Sequence, residues 1–358
     1  MIIPTAILTQ DSYKALRKNI LSNKHISNIV RLPNESFGES AGDVKVDTTI
    51  IVLSGEKSNT NKTEIIAYEG YDRITQIDTT TSSIHNFIHQ SSWLSSIDYV
   101  WTINLNEIDL KILNKCEQGT VELIEVADFS LGLTPYDKYK GHTQHQIENK
   151  IYHAEYKKDN TFKPLLAGND VKRYHLQWNE KSWISYGPWL GAPREQKFFK
   201  SPRILIKQII DWTSKRIWAT YTEDEYYNTQ NAFNIIAKPQ VNSFYLLGII
   251  NSKLMSFYHR KKFLDEFKMR FQKVLIKDCK RFPIKILSTN ESSRQEQLVN
   301  LVKQILNQEN EYKTKIDQQA LELMQNQINA TDIKIDRLVY QLYGLTDEEV
   351  RIVEESVK

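Results

Sequence analysis

"PLLAGNDVKRYHLQW" occupies residues 164–178, and how it is read decides what the middle of this chain is. Gly168, Asn169 and Asp170 are turn formers: glycine tolerates left-handed backbone, and the other two hydrogen-bond their own main chain. The turn falls just before Lys172, Arg173 and Tyr174. Two cations and an aromatic ring after a turn suit a surface that grips something anionic.

The same character persists outward. From about residue 131 to 290, tryptophans and tyrosines are interleaved with basic residues. Residues 150–285 hold 26 Lys and Arg against 12 Asp and Glu, whereas the rest of the 358-residue chain holds 21 against 32. The net charge of +3 therefore conceals a basic middle between acidic flanks. Each cation set against a phosphate releases condensed counterions, so this is the footprint of a nucleic-acid surface, with a well-solvated face as the plainer alternative.

Local patterns divide the chain. "SWISYGPWLGAPREQKFFKSPRILIKQII" (182–210) predicts strand, glycine and proline loop, strand; "RIWATY" (216–221) and "AFNIIA" (232–237) predict two more strands around the polar loop "TEDEYYNTQN". A helix follows, capped by Asn242 or Ser243, with Leu246, Leu247, Ile250, Leu254 and Phe257 as its buried stripe and the cationic "HRKKF" at its end. "KRFPIKIL" (280–287) closes as a strand.

Upstream, Met1 to Ile3 reads as a strand remnant broken at Pro4, followed by a helix over Asp11 to Ser22 with Tyr13, Leu16 and Ile20 on one face. "ISNIVRL" (26–32) and "TTIIVLS" (48–54) read as an antiparallel pair at the edge of a larger sheet. Residues 69–130 read as a connecting region containing a helix over 107–116. Downstream of residue 291, Leu298, Val302, Ile305, Tyr312, Ile316 and Leu323 recur at helical spacing and predict one long helix. Gly344 is placed to stop the helix "IDRLVYQLY", and Thr346 with Glu349 forms a capping box for the last one. The expected organisation is a mixed α/β and α+β chain of four parts: 1–68, 69–130, 131–290 and a helical 291–358.

The remaining composition bounds the function. Cys116 and Cys279 are too far apart for a CxxC site and are expected reduced and buried. No apolar run reaches the roughly 18 residues of a membrane span, and no signal peptide opens the chain, so a cytoplasmic location is expected. No Gly-x-Gly, Gly-Lys or Pro-Pro occurs. His85 and His89 are one helical turn apart but lack the Glu of a zinc-protease helix, and His142 and His145 sit in a polar loop. No metal site is expected, and no complete catalytic site is legible.

Residues 1–54, through "IIPTAIL", "YKALRKNIL", "ISNIVRL" and "SFG", resemble the last third of the catalytic domain of restriction-modification adenine-N6 DNA methyltransferases. Residues 131–290, through "PLLAGNDVKRY", "FFKSPRILIKQI", "YLLGIINSKLMSFYHRKKF" and "KRFPI", resemble the TaqI-like C-terminal specificity domain that follows it. The ending "IDRLVYQLYGLTDEEVRIVEE" (335–355) is similar to the tail of larger single-chain, type IIG-like methylases.

The resemblance implies a fold of three pieces: an incomplete C-terminal part of a methyltransferase sheet, an α+β DNA target-recognition domain and a helical C-terminal segment. It implies sequence-specific recognition of double-stranded DNA. In the family the S-adenosylmethionine loop and the catalytic loop precede the matching segment. Cofactor binding and catalysis are therefore expected from a missing N-terminal half or a partner polypeptide, and the isolated chain is expected to be inactive and poorly soluble. A stand-alone specificity subunit or a non-catalytic fragment is the alternative.

Phe37 matches the family's second aromatic stacking on the flipped adenine, with a sheet-edge plug as the other reading. Phosphate contacts are expected from Lys172, Arg173, Arg260, Lys261, Lys262, Lys268 and Arg270. Base contacts are expected from Arg194, Gln196, Asn228, Gln230 and Asn231, whose side chains make paired hydrogen bonds in a major groove. Trp178, Trp183, Trp212 and Trp218 are expected in the core, and Trp189, in a glycine-flanked loop, is the exception.

Overall fold

The computed structural model describes residues 1–33, 36, 46–55, 62–70, 73–211, 213–264, 272–287, 292–313 and 316–357. These form two compact units, one from residues 1–112 and one from the described residues from Leu113 onward, apart from a short stretch after Leu264. Phe37, Trp212, Lys268 and Arg270 lie outside the described residues.

The first unit is a five-stranded sheet of β1 (Ile2–Pro4), β2 (His25–Arg31), β3 (Thr48–Ser54), β4 (Lys62–Ala67) and β5 (Ile84–His89), in the order β1-β3-β2-β4-β5. All pairs are antiparallel except β2 with β4. The β2–β3 pair is thus central rather than at the edge. β4 and β5 carry the sheet past residue 68, so that expected boundary falls inside the unit.

Helix α1 (Lys14–Asn23) buries Arg17, Ile20 and Leu21, and Leu16 is 46% exposed. The apolar stripe expected through Leu16 is displaced because Arg17 has a specific task. Its guanidinium donates to the carbonyls of Ile7 (3.0 Å), Gln10 (2.7 Å), Asp98 (2.9 Å) and Tyr99 (3.0 Å). Asp98 and Tyr99 both adopt left-handed backbone, at φ 59° and 56°. Such strain persists only where the surroundings over-determine it. Around this centre pack Leu21, Ile26, Ile29, Ile51, Ile65, Trp93 and Trp101.

Among its described residues the second unit has ten strands: β6 (Thr120–Glu122), β7 (Ala127–Leu131), β8 (His153–Ala154), β9 (Phe162–Leu166), β10 (Trp183–Ser185), β11 (Arg203–Lys207), β12 (Ala219–Thr222), β13 (Tyr227–Asn228), β14 (Ala232–Ala237) and β15 (Pro283–Lys285). They form sheets ordered β12-β11-β14-β7 and β13-β9-β10-β8, plus the pair β15-β6. The two four-stranded sheets meet where Leu133 bridges Thr229. A Cβ on Gly132 would stand 2.1 Å from the Thr229 carbonyl oxygen, so only glycine permits this approach.

Helix α2 (Ser243–Asn251) is capped by Asn242, whose Oδ1 accepts from the amides of Phe244 and Tyr245. It is followed, after a break at Ser252, by α3 (Lys253–Phe263). The expected single helix is therefore two, because the Ser252 hydroxyl restarts capping at Met255. The C-terminal part is α4 (Ser292–Tyr312), α5 (Gln318–Leu342) and α6 (Asp347–Ser356).

The predicted long helix stops at Tyr312, and Asp317 caps α5 through the amide of Ala320. Ile316 and Leu323 are accordingly exposed, at 95% and 62%. Leu298, Val302 and Ile305 are buried in α4, and a Cβ on Gly248 of α2 would lie 2.9 Å from Val302. Gly344 (φ 68°) and the Thr346–Glu349 capping box stand where the sequence puts them.

Replacing Gly132 by Ala forces the β7 end away from Thr229. We expect a loss of about 1–3 kcal/mol or more in the second unit. Denaturant unfolding checks it, and an unchanged midpoint would refute the close approach.

Candidate nucleic-acid interface

The antiparallel register of the β12-β11-β14-β7 sheet sends four strand termini to one end. Lys207, closing β11, pairs with Ala232, opening β14, while Phe233 pairs with Leu131 at the end of β7. The Lys207 amide also donates to the carbonyl of Trp218, just before β12. The parallel strands β9 and β13 finish there too, since the β13 exit, Thr229, bridges Leu133 and the turn after β9 places Gly168 against the Asn231 side chain. Loops from distant parts of the sequence thus converge.

Their side chains are polar or cationic. Arg194, Gln196, Gln230 and Asn231 are exposed. Arg194 adopts φ 64°, and its Nε donates to the Gly132 carbonyl at 3.4 Å, which ties its loop to the same end. The carbonyl of Asn231 accepts from the amide of Gln208 at 2.9 Å. Lys172 is held by a tight turn in which its amide donates to His175 (3.0 Å) and that of Tyr174 to Ala219 (2.9 Å). The ammonium groups of Lys172 and Lys207 lie 5.8 and 4.6 Å from the centroid of the same ring, Trp218. Burial, then the nearby Lys172 charge, pushes Lys207 down from the ordinary lysine range.

Of the residues singled out from sequence, the structure brings Lys172, Arg194, Gln230 and Asn231 to this end. Gln196, two residues on from Arg194, is exposed nearby in sequence. Two others point inward. Arg173 turns away from solvent to pair with Asp332 and to donate to the Asn251 carbonyl at 3.1 Å. Asn228 is fully buried, its Nδ2 donating to the carbonyls of Ala232 (2.9 Å) and Thr229 (3.2 Å), so it shapes the turn that displays Gln230 and Asn231.

The cations ending α3 have partners within the chain. Arg260 donates to the Ser356 carbonyl and Lys262 pairs with Glu117 at 2.9 Å; Lys261 is half-buried. Sequence reasoning missed Lys207, Gln208 and Trp218. Lys207 and Gln208 are the polar residues that directly follow the apolar run of β11, and Trp218 reads as core until the turn at Lys172 is seen to leave it half-open. Trp178, Trp183 and Trp189 are likewise not fully buried.

Behind these loops lies a buried ionic cluster. Asp332 of α5 pairs with both Arg173 and Arg216 (2.8 Å to the latter), and Asp336, one turn on, takes Arg216 at 3.3 Å and the Lys253 amide at 2.8 Å. Burial opposes ionisation of Asp332, but Arg173 and Arg216 overcome it and hold its carboxyl below the ordinary range. Burial pushes Asp336 up to about 6, with the Asp332 charge adding to it against the pull of Arg216.

Elsewhere, Cys116 and Cys279 are free and buried, their thiols pushed up by burial. Among the described residues no group of three His, Cys, Asp or Glu is placed to hold a metal, and no helix is long and apolar enough to cross a membrane.

An α+β module whose loops gather cations and amide side chains at one sheet end, backed by a helical segment, has the form of a target-recognition domain. Residues 163–284, roughly a third of the chain, match the family model described as TaqI-like C-terminal specificity domain. A putative type II restriction enzyme and methyltransferase of Methanocaldococcus jannaschii is 24% identical over 348 residues, covering 96% of this chain and 27% of that protein. The type IIL restriction-modification enzyme MmeI, solved in complex with DNA, shares the fold at a TM-score of 0.56 and 12% identity, over 99% of this chain and 48% of its own. The chain thus spans about a quarter of the curated relative and about half of the solved one.

The two aspartates titrate in opposite senses. Stability from Asp332 is present above its ordinary value of 3.8 and is lost as pH falls through its lowered one. That from Asp336 is full below 3.8 and is lost as pH rises through about 6. Near pH 7, Asp332→Asn should therefore cost about 3–5 kcal/mol and Asp336→Asn less than about 1 kcal/mol. Equal losses in denaturant unfolding at that pH would contradict this division.

Proposed function

We propose that this chain is the target-recognition part of a site-specific adenine-N6 DNA methyltransferase in a restriction-modification system. It binds double-stranded DNA through the loop end of the β12-β11-β14-β7 sheet. The observation that carries the reading is the convergence there of Lys172, Lys207, Arg194, Gln230 and Asn231, chiefly within the residues that match the specificity-domain family. The relatives, a putative type II restriction enzyme and methyltransferase and a type IIL restriction-modification enzyme solved in complex with DNA, agree with it.

Work divides by chemistry. Lysines are point charges that hold phosphates and fix register, whereas Arg194, Gln230 and Asn231 present paired donors or acceptors that distinguish base edges. Gln196 belongs with the second group. Lys268 and Arg270 remain candidates for phosphate contact, and Phe37 for stacking on the target adenine.

S-adenosylmethionine is assigned to a partner polypeptide or to a region outside these 358 residues. The residues present do not fit it: no Gly-x-Gly turn is encoded, and β2, parallel to β4, continues into Leu32 and Pro33. Methylation would then need that partner, and no step of methyl transfer is ascribed to this chain.

Selection of bound duplexes from a randomised library tests the reading. A defined sequence should emerge, with log affinity falling linearly in log salt by about 0.9 per phosphate contacted. Arg194→Ala or Asn231→Ala should relax preference at one base position, at about 1–3 kcal/mol, and leave the salt slope in place. Binding without sequence enrichment, or without salt dependence, would count against the proposal.

A further inference from the structure

We propose that Lys172, Trp218 and Lys207 form a built phosphate site, in which the two ammonium groups take one backbone phosphodiester of the bound duplex above the indole ring. The inference rests on the DNA-recognition reading and names the place where the backbone is held.

Three observations carry it. First, the geometry: both ammonium groups sit within 6 Å of the centroid of one half-buried ring, and the Lys172 charge acts on Lys207, so positive charge is concentrated around one aromatic platform. Second, the missing counter-charge. Elsewhere in the unit the lysines have carboxylates: Lys163 and Lys200 reach Glu225 at 3.4 and 3.8 Å, and Lys197 reaches Asp128 at 3.7 Å. Among the described residues neither Lys172 nor Lys207 has a carboxylate within 4 Å. The acids that act on them form no ion pair with them: Asp211 acts on Lys207, its Oδ2 accepting from the amide and hydroxyl of Ser214, both at 2.8 Å, and Asp170 acts on Lys172, its Oδ2 accepting from the amide of Ala167 at 2.7 Å. Two like charges held together are destabilising until an anion arrives between them.

Third, the site is held from behind. Arg173, next to Lys172, and Arg216, two residues before Trp218, are both anchored on Asp332. The two loop segments that supply the lysine and the ring therefore share one buried carboxylate. Exposed lysines on free loops would have to be ordered by the ligand; here that ordering is already in place.

The test uses the full 358-residue chain with Lys172→Gln, Lys207→Gln, their double variant and Lys207→Arg. Affinity for cognate and unrelated duplexes is measured across a salt series, with thermal melting as a check on folding. The double variant should melt as the parent does, lose affinity on both duplexes by the same factor, and show a salt slope shallower by about 0.9, the value for one phosphate. Lys207→Arg should restore most of the slope.

An unchanged slope in a folded double variant that still binds duplex would overturn the phosphate site and leave the DNA reading standing. Loss confined to the cognate duplex would overturn it as well, since that is the behaviour of a base contact. Failure of the parent chain to bind any duplex would overturn both.

Discussion

The second unit depends on one buried ionic arrangement: two aspartates one turn apart on α5, inserted against two arginines from separate loops of the sheet. Neither Arg173 nor Arg216 could be left there alone, because an unpaired buried guanidinium carries a desolvation penalty of several kcal/mol. Nor is such a cluster a cheap source of stability, since apolar residues of similar volume would serve as well or better. What the cluster supplies is direction. It fixes which faces of the 171–176 turn and of the 216–218 segment look inward, and so which side chains, Lys172 and Trp218, remain on the outside.

The helical segment therefore supports the proposed recognition surface from behind, with Glu309 of α4 paired to His175 at 2.9 Å and Lys313 donating to the Leu176 carbonyl at 2.6 Å. Lys253, at the start of α3, takes both Asp336 and Glu354, and the Tyr340 hydroxyl donates to Glu354 at 2.8 Å. Lys115 pairs with Glu349 at 2.7 Å and Arg260 reaches the last turn of α6. Of the charges that look from sequence like a cationic helix end, Arg260 is spent on α6 and Lys262 on Glu117. The acidic flank and part of the basic middle neutralise each other inside the fold, and the net charge of the middle segment overstates what is available to a polyanion.

Legibility in the sequence followed the range of the forces involved. Local signals were readable: the Asn242 cap, the Gly344 stop, the Thr346–Glu349 box and the strands around the 222–231 loop all stand where residue type and spacing put them. Two kinds of error came from long-range contacts. Periodicity put Leu16 in the core and said nothing of Arg17, because four carbonyls from two separate segments, 7–10 and 98–99, decide that position. Alternation of cation and aromatic at 172–174 gave three surface residues, whereas a reversal at Tyr174, φ 65°, turns Arg173 toward Asp332 more than 150 residues away. Asn228 failed for the same reason, its amide being spent on the turn it belongs to. Lys207 and Trp218 were invisible as a pair because only the antiparallel register of β11 with β12 makes them neighbours.

That register also explains why the proposed interface lies at one end of the sheet and not on its face. The faces of β11 and β14 are filled, with Ile204, Leu205, Ile206, Phe233 and Ile235 fully buried, so the strands have no side chains to offer a ligand. Antiparallel pairing alternates strand ends between two poles, and one pole carries Glu223, Asp224 and Glu225, the last paired with Lys163 and Lys200. Among the described residues the other carries Lys172 and Lys207 without an ion pair, beside the exposed side chains of Gln230 and Asn231. Two poles with similar numbers of lysines thus differ in what they can bind, because only at one has the counter-charge been left for something outside the chain to bring.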